Sequence, residues 1–223
     1  MAVLLLGTAA PGFTRGTKKS LDLAQVLSHM DESSKQLRTL SADLAYTKVT
    51  VLVNNFSTDS GKMYFRNSKS PDILIDFKKP APKMILFKND KAEIYQPRIN
   101  QIQEYDLRKH SSLIQKFLLL GFGTNSKEMQ KFYDVKYLRE EQLGGDTTAV
   151  LELTPRKASL AAQLSKIQLW ISEESWLPVQ QKFYEAGGDY SIARYTSVEI
   201  NRKLPSSTFA IHAAKGAKRI KMP

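Results

Sequence analysis

The side chains that could perform acid–base, metal or nucleophilic chemistry are few and scattered. No Gly-x-Ser-x-Gly stretch offers a nucleophilic serine. Adjacent carboxylates occur at Glu140-Glu141 and Glu173-Glu174, where solvated turn positions are a simpler interpretation than an acid–base pair across a cleft. The three histidines are far apart in the chain and lack the spacing of metal ligands: His29, His110 and His212. We therefore expect no enzyme, no metal site and no cofactor, and a catalytic β-barrel cleft is the least supported function.

The composition excludes further classes of protein. A chain of 223 residues can bury one sizeable core, so we expect a single domain with short tails. The formal charge is +11, but the basic residues are spread along the chain and no nucleic-acid-binding motif accompanies them. The absence of cysteine excludes disulfides, a thiolate metal site and a lipid-modified cysteine.

The first residues have the composition of an export signal. "MAVLLLGTAAPG" is apolar and ends in small residues at 10–12, although it has no basic n-region. We expect residues 1–19 to be an export signal and leader, followed by a soluble mature protein because no other stretch is long and apolar enough to span a bilayer.

Two segments have helical patterns. Apolar residues from Leu23 to Leu40 fall at helical spacing and predict one amphipathic helix. The segment "KHSSLIQKFLLLGFG" carries more apolar surface than one stripe needs and ends at Gly121 and Gly123. The stretch "SKEMQKFY" predicts a short further helical turn.

The rest of the chain alternates as strands do. Short β patterns follow one another from Ser41, with a turn expected at Thr58 to Gly61 and hairpin turns at Gly144-Gly145 and Gly187-Gly188. Because large sheets curl, we predict an α+β, mainly β fold. Its single large curved antiparallel sheet forms an incomplete, half-open barrel with helices covering the concave side. Residues 217–223 form a basic C-terminal tail that we expect to be mobile at its end.

One stretch places a proline inside a strand pattern. "MILFKNDKAEIYQPRINQIQEYDL" contains an Asn89-Asp90 turn, then Tyr95, Pro97 and Gln101. This order resembles the central hairpin of the LolA family of periplasmic lipoprotein carriers. Pro97 then marks a hairpin connection, consistent with its missing donor and fixed φ.

Other segments resemble the family in the same order along the chain. They are "LRTLSADLAYTKV", "LELTPRK", "IQLWISEESWLPVQQKFYEAGG" and "YTSVEINRKLPSSTFAI". Each motif is weak alone, but five in register make a chance match improbable. The resemblance covers about residues 20–216, which we interpret as one LolA-like domain.

The resemblance implies a function. Such a carrier is a periplasmic protein, read here as a monomer, that binds the acyl chains of lipoproteins in a hydrophobic cavity and hydrolyses nothing. It would take acylated lipoproteins from an inner-membrane ATP-driven transporter and pass them to an outer-membrane acceptor. Regulators that sense lipid or lipoprotein through a membrane-anchored partner share this type of fold and stay an alternative.

The hypothesis assigns specific residues. The predicted lid residues are Leu113, Ile114, Phe117, Leu118 and Leu120. The predicted ligand-binding wall residues are Leu44, Tyr46, Met63, Phe65, Ile73, Ile75, Phe77, Met84, Leu86 and Ile94. For each of them, ordinary core packing is at least an equal interpretation. Family carriers often place Arg before the proline of the third strand, as a lid latch, whereas here Ser70 precedes Pro71 and the nearby basic residues are Arg66 and Lys69.

Overall fold

A computed structural model describes residues 21–68, 70–108, 120–123 and 125–222. The expected export signal and leader therefore lies outside the described residues, as do four predicted lid residues: Leu113, Ile114, Phe117 and Leu118.

One sheet of twelve strands dominates the described part of the chain. The strand bounds are β1 Thr39–Thr50, β2 Asn55–Arg66, β3 Asp72–Lys79, β4 Lys83–Lys88, β5 Lys91–Gln96, β6 Gln101–Asp106, β7 Tyr133–Leu143, β8 Asp146–Pro155, β9 Leu164–Ser172, β10 Pro178–Glu185, β11 Tyr190–Ile200 and β12 Lys218–Lys221. Their order is β12-β6-β5-β4-β3-β2-β1-β11-β10-β9-β8-β7. Every neighbouring pair is antiparallel except β12 with β6. Since no further strand of the described ranges pairs with β12 or β7 at the two edges, the sheet is open, and the predicted fold class is confirmed.

Three α-helices occur among the described residues. They are α1 Leu23–Gln36, α2 Ser126–Phe132 and α3 Ala158–Ala161, and two 3-10 turns span Pro97–Ile99 and Ser206–Phe209. Asp22 begins α1 with a capping box, because its carboxylate accepts from the Gln25 backbone while the Gln25 side chain accepts from the Asp22 backbone. The helices within these ranges are all too short or too polar to cross a bilayer.

The concave face of the sheet carries two apolar cores. In one, Val26, Leu27 and Met30 of α1 pack on β7, β8 and β9. The other lies over β1 to β5 and receives Phe122, Leu107 and other buried side chains. On the convex face, residues 204–211 pack against β3 and β4 around Phe209. The apolar side chains on the two faces of the sheet therefore pack against different parts of the chain.

The turn expected at Thr58 to Gly61 is wrong. β2 runs through it, and the β1–β2 connection lies at 51–54, where Asn54 has a φ of 46°. Gly61 instead lies at a bulge, where an added Cβ would come 2.0 Å from the Asp76 carbonyl oxygen. The glycine permits close approach of two strands and not a chain reversal.

The chain end is also more ordered than expected. Residues Lys218–Lys221 form β12, so the predicted mobility of the tail is wrong there. The Tyr95 hydroxyl accepts from the Ala214 backbone and donates to the Asn100 side chain, both at 3.1 Å. The Asn100 carbonyl accepts from the Lys218 backbone at 2.9 Å. The Tyr-x-Pro hairpin thus fixes the C-terminal segment, a role its sequence pattern did not reveal.

Candidate functional site: a cavity on the concave face

A cavity of about 1080 Å³ lies on the concave face between the two apolar cores. Strands β1 to β6 form one wall, and β9, β10 and β11 form the other. Its lining residues are Leu44, Tyr46, Lys48, Asp59, Ile75, Phe77, Lys83, Ile85, Phe87, Ala92, Ile94, Tyr105, Gln163, Leu164, Gln181, Phe183, Glu185, Ser191, Ala193 and Tyr195. The curved sheet alone therefore supplies most of the enclosure.

Cross-strand pairing aligns the apolar wall. Ile85 pairs with Ile75 on one side and Ile94 on the other, so the three side chains form a row on one face. Residues directly opposite each other in an antiparallel pair share a face, which brings together side chains far apart in sequence. Five predicted wall residues lie at the cavity: Leu44, Tyr46, Ile75, Phe77 and Ile94. Their role in ligand binding stays a prediction.

Three other predicted wall residues lie in packed core. Met63, Phe65 and Ile73 are on the concave face but at most 2% exposed, and they belong to the core cluster with Phe122. They support the cavity and do not border it. The apolar periodicity of the strands predicts the correct face for these residues. It does not distinguish side chains that line the cavity from side chains that pack behind it.

Met84 and Leu86 lie on the convex face, packed with Leu74 and Phe209. The strand "KMILFK" is apolar at four successive positions, so its alternation has no visible phase. Pairing fixes that phase, because Ile85 and Phe87 oppose Ile75 and Ile73. The structure thus places Ile85 and Phe87 at the cavity instead.

Sequence reasoning also missed the second wall. Gln181 and Phe183 of β10, with Ser191, Ala193 and Tyr195 of β11, line the cavity. In the sequence, the cavity face of β11 is marked only by the alternation of small or polar with larger residues in "YSIARYT". The same alternation is typical of a strand face that points to solvent. The signal that identifies it is the pairing of β11 with β1, which a single sequence does not give.

A buried polar network closes the floor of the cavity. The Gln181 side-chain amide donates to the Leu120 carbonyl at 2.6 Å, and the Tyr195 hydroxyl donates to the Gln181 side-chain oxygen at 2.9 Å. Burial, with a smaller contribution from Tyr46, raises the pKa of Tyr195, so its hydroxyl stays protonated. Phe122 meets the Tyr195 ring edge-on, with centroids 5.0 Å apart. The segment 120–123 is thereby held against the sheet.

Leu120, the one predicted lid residue among those described, is 2% exposed and belongs to the core beneath α1. Gly121 follows it with a φ of 86°, and an added Cβ would come 2.5 Å from Pro178. Leu120 therefore anchors the segment, and its assignment to a moving lid stays untested.

The rim of the cavity is charged. Lys83 bridges to Asp59 at 3.1 Å and lies 4.9 Å from the centre of the Phe77 ring. Lys48 and Glu185 also border the cavity. An apolar interior with a charged rim suits an amphipathic ligand, whose chain is buried while its polar end stays at the rim.

Among the described residues, the basic residue nearest the expected latch position turns away from the cavity. Arg66 binds the buried Asp72 carboxylate at 2.5 Å through Nη2 and 3.0 Å through Nε. Its guanidinium also lies 4.5 Å from the centre of the Phe209 ring, on the convex face. Arg66 therefore holds the C-terminal segment, and Lys69 lies outside the described residues.

Within the described ranges, no three His, Asp or Glu side chains come close enough together to hold a metal ion.

Several solved structures share this fold. An uncharacterized conserved protein from Thermus thermophilus matches with a TM-score of 0.57 and 11% identity, covering 89% of this chain and 99% of that one. MucB matches with a TM-score of 0.54 and 13% identity over 88% of this chain. The lipoprotein LppX from Mycobacterium tuberculosis matches with a TM-score of 0.51 and 10% identity, covering 82% and 98%. At these identities the likeness shows the fold alone.

MucB is longer than the part of it that this chain matches. The match covers 64% of the MucB chain, so this chain spans less than two thirds of MucB. The matches also include a LolA superfamily protein from Nitrosomonas europaea, at 17% identity and a TM-score of 0.41. The fold expected from the resemblance to the LolA family, an open curved sheet with helices on its concave side, is the fold observed.

By sequence, no curated protein matches the chain. Residues 88–202 match the model of a family described as "-like: Uncharacterized protein". Because this match covers just over half of the 223 residues, the chain belongs to that family.

Proposed function

We propose that this protein is a periplasmic carrier that binds the acyl chains of lipoproteins in its concave cavity and moves them from the inner to the outer membrane. The observation that carries the proposal is the cavity of about 1080 Å³ with an apolar wall and a charged rim. The lipoprotein LppX, which shares the fold, gives the proposal context.

The cavity suits a flexible hydrocarbon. Its volume of about 1080 Å³ lies just above the range of about 300–1,000 Å³ that small-molecule pockets span. Burial of hydrocarbon contributes about 0.8 kcal/mol per methylene and needs no directional contacts. An apolar wall such as the row of Ile75, Ile85 and Ile94 would thus hold acyl chains of different length.

The carrier role requires partners that the chain itself does not supply. A donor must extract the lipoprotein from the inner membrane against the hydrophobic effect, which suits an ATP-driven transporter, and an acceptor must lie at the outer membrane. We propose that the chain does no chemistry of its own, since its task is equilibrium binding and release.

A second candidate is a regulatory module that acts on a membrane-anchored partner. The observation that favours it is the fold shared with MucB, which has been solved in complex with MucA. In this alternative the concave face binds lipid or lipoprotein as a signal, and no cargo is transferred.

Native mass spectrometry of the protein purified from its own periplasm, with extraction of bound material, separates the candidates. A co-purifying triacylated polypeptide is expected for a carrier. Free lipid alone would favour a lipid carrier or sensor. An empty protein that also fails to accept lipoprotein from donor membranes would contradict the proposal and favour the regulator.

A cavity-filling variant tests the site directly. Ala193 lines the cavity from β11, and a Trp there should occupy part of the volume and lower the affinity for a fluorescent fatty acid by about tenfold. Ala45 on the neighbouring β1 opposes Arg194 in the register and points to the other face, so Ala45→Trp is the matched control. Equal affinities of the two variants, both folded by circular dichroism, would place the ligand elsewhere.

A further inference from the structure

The tip of the β1–β2 hairpin exposes large apolar side chains. Leu52 is 94% exposed, Phe56 71%, Val53 65% and Val51 53%. The other large apolar residues exposed in the described ranges are Ile99, Leu138 and Ile200, at separate places in the sequence. Single exposed apolar residues are normal on protein surfaces and need no explanation. Four of them together at the tip of one hairpin form an exposed apolar patch, which is typical of an interaction site.

Folding does not explain these residues. The turn is formed by Asn54 in the left-handed region and by the Val51 backbone N–H, which donates to Asp189 at 2.9 Å. Leu52 and Val53 supply no core contact, and polar residues are the usual choice at such positions. The side chains therefore fit a role outside the folded chain.

Behind the tip lies a row of aromatic and basic side chains. Val49 pairs with Phe56 on one side and Tyr190 on the other, and Tyr190 pairs with Tyr184. The Lys182 ammonium lies 3.8 Å from the centre of the Tyr190 ring and 4.5 Å from that of Tyr184. Tyrosine rings and lysine stems are the groups that occupy the headgroup layer when an apolar element enters a membrane.

Charge at the same end favours an anionic surface. Lys48 is exposed three residues before the turn at 51–54, and exposed Lys78 and Lys79 end β3, where Lys79 pairs with Ser60 near the middle of β2. The chain as a whole carries +11. Basic residues near an anionic leaflet each add attraction that salt weakens.

We propose that the hairpin tip at Val51–Asn54, with Phe56, inserts into the outer layer of an anionic lipid bilayer. Lys48 also lines the cavity, so docking in this way turns the charged rim toward the membrane from which a ligand enters or to which it leaves. A bilayer fits the tip better than a protein partner does. Four side chains at the tip of one hairpin are too few for a stable protein interface of about 800 Å² per partner, but they suffice for interfacial insertion assisted by lysines.

Single-cysteine labelling tests this placement, because the full chain has no cysteine. We would attach an environment-sensitive fluorophore at Leu52→Cys and, as the control, at Leu138→Cys on the edge strand β7. With vesicles of phosphatidylglycerol and phosphatidylcholine, the emission of the label at 52 should shift to the blue, and that at 138 should not. An unchanged spectrum at 52, or equal shifts at both positions, would overturn the proposal.

Charge substitutions give a quantitative test by cosedimentation with the same vesicles. Leu52→Asp combined with Val53→Asp should lower the partition coefficient between vesicles and water about a hundredfold. Each apolar side chain that enters the bilayer contributes about tenfold to that coefficient. Leu138→Asp should leave it unchanged. Binding by the double variant at the wild-type level would overturn insertion, and equal binding to pure phosphatidylcholine would overturn the role of the lysines. Neither result depends on a ligand in the cavity, so the proposed function can fail or stand separately.

Discussion

The concave face has two halves that are built alike and used differently. In the helix half, formed by β7, β8 and β9, the apolar row of Leu151 and Leu169 is fully buried beneath α1. In the cavity half, formed by β1 to β6, the equivalent row of Ile75, Ile85 and Ile94 borders the cavity. The same strand alternation therefore produces a core in one half and a ligand wall in the other.

The difference lies in what the chain places on each half. α1 lies on the helix half through Val26, Leu27 and Met30, and Asp31 ties it to α2 by accepting from the Ser126 backbone and hydroxyl, both at 2.7 Å. Among the described residues, the cavity half receives mainly Phe122 and Leu107 at one end. Apolar periodicity thus predicts which side chains point inward, and the covering elements decide which of them stay available to a ligand.

The largest expected effect tests whether the helix half carries the stability. Leu151→Ala removes a side chain that is 0% exposed and should lower the free energy of unfolding by about 2–5 kcal/mol. Ile94→Ala in the cavity half should cost only about 1 kcal/mol, because that side chain is already partly exposed. Urea denaturation of both variants measures this, and equal losses would contradict the division into two halves.

Much of the fold could be predicted from the sequence. The Asn89-Asp90 turn, the Gly144-Gly145 turn and the amphipathic helix are local signals, and each is confirmed. The helix, however, ends at Gln36, and Leu40 already belongs to β1. The β1–β2 turn was misplaced because Gly61 looks like a turn residue but serves a close backbone approach. Local patterns identify elements well, yet the same glycine suits a turn or a bulge, and only the neighbouring strand decides.

The candidate site was less predictable. Leu44 and Ile75 were identified from alternation, but Ile85 was missed because the run "MILF" hides its phase. Gln181 and Tyr195 are polar residues whose burial depends on contacts 61 and 14 residues away in the chain. Such long-range pairing cannot be derived from one sequence.

An intermediate effect concerns Gln181, at the border between the two halves. Gln181→Leu leaves the Leu120 carbonyl and the Tyr195 hydroxyl without their partner and should cost about 1–3 kcal/mol of unfolding free energy. Adding Tyr195→Phe removes one of the two unpaired groups, so the double variant should be less destabilised than the sum of the single ones. Additive losses in thermal or urea denaturation would mean that the network does not couple segment 120–123 to the sheet.

The smallest effect asks whether ion pairs also distinguish the halves. On the outer side of the strands that form the helix half, Lys166 binds Glu152 at 2.8 Å, and this hydrogen bond lowers the pKa of Glu152 and raises that of Lys166. In the cavity half, Lys83 binds Asp59 at a similar 3.1 Å. All four side chains are between about a fifth and two fifths exposed, so Glu152→Gln and Asp59→Asn should each cost no more than about 1 kcal/mol.

The stability contributed by the ion pair of Glu152 and Lys166 depends on pH in a direction that the two pKa shifts determine. The pKa of Glu152 is lower in the folded than in the unfolded chain, so its stabilisation is complete above the unfolded value of about 4.3 and is lost as pH falls through the folded pKa. The pKa of Lys166 is higher in the folded chain, so its share is present below about 10.4 and is lost as pH rises through the folded pKa. The difference in unfolding free energy between wild type and Glu152→Gln should therefore be constant from about pH 5 to 10 and vanish in acid. A difference that grew in acid would contradict the assigned ion pair, and a loss at neutral pH well above 1 kcal/mol for only one half would show that charge, and not apolar cover alone, separates the two halves.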